Sequence, residues 1–185
     1  MESRAVNWCL MRSTHMGGAR LTSIAEVLLD SFKHEARQAR VVIDVARDAK
    51  SGFKPSEGMR TLKEIVNHLA EIPTLDPSFY SGEFTSVEDA QKMEKELWRE
   101  DIDDALALFD EGVESVLERF GEMSDEQVLE ENLQSFYEKG PMHNWAYYIP
   151  EMTRHIAMHK MQLWMYLKLS GLDVNMMTYY GVTSE

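Results

Sequence analysis

The sequence holds one cysteine in 185 residues, Cys9. A single thiol excludes a disulfide framework within the chain and a structural zinc site built on several thiolates. Basic residues are scarce as well: 19 Lys and Arg stand against 32 Asp and Glu, a formal charge of −13. No local run of cations relieves that deficit, so a phosphate backbone finds no footprint and nucleic acid is not expected as a partner. Apolar runs never approach the ~18 residues of a membrane span, so no membrane partner is expected either. Disorder is excluded by the balance of 44% hydrophobic against 28% charged residues. The alternation of a half-buried strand appears nowhere. These absences leave a helical protein, expected in the cytoplasm.

Residues 1–19 do not join the pattern that follows. Glu2, Arg4, Asn7 and Arg12 interrupt any signal-like apolar run. The segment reads as a disordered or poorly packed extension carrying Cys9 and His15, ahead of one domain over 20–185. From Leu21 the spacing turns helical, with Leu28, Phe32, Ala39, Val42, Ile43 and Ala46 on one face. The helix ends before Ser51-Gly52. A second helix over 60–72 carries Leu62, Ile65, Leu69 and Ile72 inward and Lys63, Asn67 and Glu71 outward, with Pro73 as its stop. After a long connection, 86–120 holds one helix or two, opened by a capping sequence at Thr85 or Ser86. Ser124 and Gln127 open a short helix in the next connection. The last strong helix runs from Asn144 or Pro150 to Ser170, with Gly171 past its end. The fold class is all-α, a four-helix bundle with a long connection between helices 2 and 3.

The chemistry lies in the last helix. His155 and His159 are four residues apart, which sets their Cβ atoms about 6 Å apart on one face. Tyr148, Met152, Gln162 and Tyr166 share that face, while Arg154, Lys160 and Lys168 lie broadly opposite and are expected in solvent. Both imidazoles therefore point inward, where an unpartnered polar group costs roughly 1–3 kcal/mol. His68, at the inner edge of the second helix, is a third candidate. Three neutral imidazoles suit a divalent cation and leave positions open, as catalytic rather than structural zinc sites do. His34 is expected at the surface, and His143 is a substitute ligand in a loop.

Two stretches resemble the DinB/YfiT-like four-helix-bundle proteins, the damage-inducible DinB family. One is His155-Ile156-Ala157-Met158-His159-Lys160-Met161-Gln162-Leu163, continuing through Tyr166-Leu167-Lys168-Leu169-Ser170-Gly171. The other is Leu62-Lys63-Glu64-Ile65-Val66-Asn67-His68-Leu69. The resemblance implies His68, His155 and His159 as ligands of one divalent metal, zinc, nickel or manganese. It implies a parallel helix pair in the bundle and a homodimer. It also implies kinship with thiol S-transferases and mycothiol-dependent maleylpyruvate isomerase, where a low-molecular-weight thiol is the cofactor. Lys160 and Met161 depart from the pattern, standing where Arg-Gly is frequent.

Four further residues are pocket candidates. Gln162 lies one turn beyond His159, placed to orient a ligand. Tyr148 and Tyr166 offer hydroxyls on the same face. Glu35, inside the first helix's apolar stripe, either supports a ligand histidine or sits at a boundary and reaches water. The methionines of the last helix circle it and read as gap fillers. The expected function is a metal-dependent enzyme with a three-histidine site, of thiol S-transferase type, acting on small-molecule electrophiles. The alternative is a non-catalytic metal- or ligand-binding bundle of the stress response.

Overall fold

A computed structural model of the chain describes residues 22–182. The extension at 1–19, with Cys9 and His15, lies outside them. Four long helices build the bundle: α1 (Ile24–Val45), α2 (Leu62–Tyr80), α4 (Ile102–Gly121) and α6 (Trp145–Leu169). Three shorter ones, α3 (Val87–Leu97), α5 (Asp125–Leu129) and α7 (Met176–Tyr179), lie in the connections and the tail. Among the described residues the only β pairing is an isolated antiparallel bridge, Leu133 to His143.

Local chemistry sets most helix starts. Ser23 with Glu26, Thr61 with Glu64 and Ser124 with Gln127 each form reciprocal capping boxes, satisfying amides that the first turn leaves bare. Asn144 accepts from the Tyr147 amide at the start of α6. At its end Gly171 takes φ +94°, the left-handed conformation that terminates a helix at little cost to glycine. The region 86–120 is two helices, broken between Trp98 and Asp101.

Cross-helix contacts fix the directions. Arg40 meets Asp110 and Arg47 meets Asp103, so α1 and α4 run antiparallel. Asn67 meets Arg99 just ahead of α4, and farther along Gly112 packs on Pro73 and Thr74. Contacts that advance together along both chains make α2 and α4 parallel. The 21 residues between them, α3 included, carry the chain back to the starting end, as a parallel neighbour requires. Asp76 meets His155 while His68 meets His159, so α2 and α6 are antiparallel. The core between the four includes Phe32, Ile43, Leu62, Leu69, Phe109, Phe120, Ile149 and Ile156, all fully buried.

Four expectations are corrected. First, α2 does not stop at Pro73; it continues through Pro73 and Pro77 to Tyr80. An interior proline costs roughly 3 kcal/mol by removing a donor and crowding the preceding turn. Here the extra turns bury Leu75, Asp76, both proline rings and Tyr80, and one buried side chain of Leu size already returns about 1.5–3 kcal/mol. Packing outweighs local propensity. Second, Asn67 and Glu71 are not on a wet face but buried. The α3–α4 link covers Asn67, which donates to the Arg99 carbonyl at 3.0 Å and accepts from the Arg99 amide at 2.7 Å, and Glu71 turns to His68 beside α3.

Third, Lys160 is 1% exposed, not in solvent. Its Nζ lies 2.7 Å from Glu35 Oε1, donates to Gln38 and sits 4.0 Å from the Tyr179 ring centroid. The tail closes this side of α6, so the aromatic segment after Gly171 packs on the bundle as a short helix. The methionines do not circle α6 evenly either. Met152 is buried, whereas Met158, Met161 and Met165 form an exposed stripe with Leu169.

Candidate metal centre

Three imidazoles meet between α2 and α6. The antiparallel approach brings His68 between His155 and His159, with ring centroids 5.4 Å and 4.4 Å away, and the latter two are 4.9 Å apart. One ligand atom from each lies within 4.8 Å of the other two, all partly buried. Tetrahedral coordination at 2.0–2.1 Å per nitrogen sets ligand atoms roughly 3.4 Å apart.

Each ring is held by its own acceptor at Nδ1. His68 Nδ1 lies 2.7 Å from Glu71 Oε1, three residues on along α2. His155 Nδ1 lies 3.0 Å and 3.2 Å from the two oxygens of Asp76, one helix away. His159 Nδ1 lies 2.9 Å from Gln162 Oε1. With the proton on Nδ1 donating to these acceptors, the lone pair is on Nε2 in every ring. That tautomer is the one a cation needs, and outer partners of this kind both orient a ring and raise its basicity.

Asp76 is the best-anchored of the three partners. It is 4% exposed and also accepts from the Tyr80 hydroxyl at 3.2 Å. Tyr80 stacks on Tyr148 with centroids 4.2 Å apart, and the Tyr148 hydroxyl donates to Glu138. Burial raises both phenols further above their ordinary range, so each remains a donor.

The electrostatics favour a cation over protons. Burial, with help from Arg60 and His155, lowers His68 to about 4. Burial and then the field of His68 lower His159 to about 4. Near neutral pH both are neutral ligands. Burial also pushes Glu71 up to about 7. One proton is therefore shared across the 2.7 Å Glu71–His68 contact, and it sits on Nδ1 whenever Nε2 serves as a ligand. The donor set, its outer partners and its protonation all fit a divalent cation.

Of the pocket candidates, Gln162 supports His159. Tyr148 reaches the site only through its stack on Tyr80. Glu35 pairs with Lys160 and holds no imidazole. Tyr166 packs against Phe53, with a buried hydroxyl that finds no hydrogen-bond partner among the described residues. His34 is exposed and accepts from Gln38 Nε2. His143 is taken up by the bridge to Leu133 and stacks on Tyr147, centroids 4.1 Å apart. Sequence reading missed Glu71 and Asp76. Glu71 lies three residues beyond His68, the same spacing that singled out Gln162, and that signal was available. Asp76 was hidden behind Pro73.

A cleft of about 450 Å³ opens between α2 and α3, with His68 and Glu71 at its inner wall. It gives a small molecule a route to His68.

No protein-family model matches this chain, and no curated protein is similar to it in sequence. Among solved structures it is similar to a candidate member of the DinB family from Exiguobacterium sibiricum 255-15. The TM-score is 0.63 over 84% of this chain and 97% of that one, at 18% identity. The fold is that of a DinB-like bundle. The all-helical architecture agrees with that fold. No helix among the described residues is long and apolar enough to cross a membrane.

Proposed function

We propose that this chain is a metal-dependent enzyme of the DinB family, with His68, His155 and His159 as its ligands. The observation that carries the reading is that one ligand nitrogen of each imidazole lies within 4.8 Å of the other two, while each Nδ1 has its own acceptor and leaves Nε2 free to bind. A divalent cation bound there, zinc, nickel or manganese, supplies Lewis acidity and a seat for a substrate thiolate. The chain's own residues do the rest. Asp76, Glu71 and Gln162 hold the rings, burial keeps His68 and His159 unprotonated, and the cleft admits the reactants. The reaction class is thiol S-transfer from a low-molecular-weight thiol to a small electrophile. A homodimer in the cytoplasm belongs to the same proposal.

Metal analysis tests it first. Protein expressed in metal-replete medium should carry about one equivalent, and His68→Ala, His155→Ala and His159→Ala should each lower that sharply. Less than about a tenth of an equivalent in the unaltered protein refutes the site. Thiols with a chromogenic electrophile, run against the triple-alanine protein, test the chemistry. Equal rates refute catalysis and leave a metal-binding bundle. A monomeric mass at micromolar concentration refutes the dimer.

A further inference from the structure

The cleft beside His68 is lined by charges of both signs, three of which make no direct ion pair. Arg60, just ahead of α2, and Lys95, on α3, are exposed. Glu94, on α3, is half-buried. Among the described residues none of the three takes part in an ion pair or side-chain hydrogen bond. The other lining carboxylates are committed, Glu64 to the Thr61 capping box and Glu71 to His68. Arg60 lies in the field of Glu64, Glu71 and Glu94 but makes a direct ion pair with none of them, which leaves its guanidinium donors free for a ligand.

We infer that this cleft binds a small zwitterion, its carboxylate held by Arg60 and Lys95 and its amine by Glu94, next to the imidazole of His68. The inference deepens the metal-site reading by naming a ligand class, and rests on it only for what the ligand meets at the inner wall. Both charges of the ligand are needed. A simple anion would face Glu94, and a simple amine would face Arg60 and Lys95. A phosphate dianion is disfavoured further by the carboxylates of Glu64 and Glu71. Burial and the nearby Glu71 raise Glu94 above its ordinary value, an environment that an ammonium group would relieve.

Trp98 supplies the apolar wall for the carbon skeleton. Its ring is fixed by donation from Nε1 to Glu100 Oε1 at 2.8 Å. The volume, about 450 Å³, lies in the range of small-molecule sites. Arg60 provides a planar fork for a carboxylate and Lys95 a mobile point charge beside it.

The test is titration of the metal-free and the zinc-loaded protein with 5-aminopentanoate, pentanoate and pentylamine. Binding is read from the Trp98 indole N–H cross-peak, assigned with Trp98→Phe. The zwitterion should bind about tenfold or more tighter than either singly charged analogue, since each charge-assisted contact is worth about that factor. R60A/K95A should reduce its affinity to that of pentylamine, and E94Q to that of pentanoate. Equal affinities for the three probes, or a zwitterion affinity unmoved by R60A/K95A, overturn the inference. A protein that takes up no zinc yet prefers the zwitterion refutes the metal reading and supports this one. One that takes up an equivalent of zinc and shows no preference does the reverse.

Discussion

Replacing Asp76 separates the metal centre from the fold that carries it. The carboxylate has two clients, the Nδ1–H of His155 at 3.0 Å and the hydroxyl of Tyr80 at 3.2 Å. Only the first bears on metal affinity. Asp76→Asn keeps the volume and one acceptor for His155 but removes the charge. A charged acceptor contributes about 1.5–3 kcal/mol and a neutral one about 0.5–1.5. The difference of roughly 1–1.5 kcal/mol corresponds to about 5- to 15-fold in affinity. Asp76→Ala leaves the His155 donor with nothing and should reach the upper part of the 10- to 100-fold range of outer-partner losses. It also leaves the Tyr80 hydroxyl buried and unpartnered, costing about 1–3 kcal/mol of stability with or without metal. Tyr80→Phe is the control: zinc affinity within about twofold of the parent, because that bond does not orient a ligand. The assay is zinc titration against a competing chromogenic chelator, with urea unfolding of the metal-free proteins. An Asp76→Asn protein that binds zinc within about twofold of the parent refutes the positioning argument.

Three further outcomes follow from the same geometry. His159 is neutral when folded down to about 4 and takes its proton near 6.5 when unfolded, so its contribution to metal-free stability is lost as pH falls between those values. Glu71 and His68 add no slope between about 4.5 and 6.5, since the pair binds one proton folded, on Glu71 or shared, and one unfolded, on His68. The unfolding free energy should therefore lose up to about 1.4 kcal/mol per pH unit more than in His159→Phe; equal slopes in urea titrations refute this. Gly112→Ala would place a Cβ 2.7 Å from Thr74 Oγ1 and 3.0 Å from Pro73 Cβ. It should cost about 1–3 kcal/mol in urea unfolding, with partial rescue by Thr74→Ala; no loss would show that α2 and α4 do not approach there. Lys160→Met leaves Glu35 facing the core without its cation and should cost about 3–5 kcal/mol, most of it recovered in Lys160→Met/Glu35→Gln by thermal denaturation.

The sequence by itself determined the helices and the faces that pack between them. Period and capping residues are local, and Ser23-Glu26, Thr61-Glu64 and Asn144 act on amides a few residues away. It also determined that His155 and His159 share a face, because four residues exceed one helical turn only slightly. Tertiary structure decided the direction of α4, the passage of α2 through two prolines, and which polar residues are covered. A helical wheel divides a helix into one inward and one outward side, as though the four-helix core were its only neighbour. Here α3 and its link to α4 cover Asn67 and Glu71, and the tail covers Lys160, so the outward side is partly buried too. Asp76 reaches His155 only because buried side chains around Pro73 and Pro77 outweigh the missing backbone bonds, a balance between residues far apart in the chain.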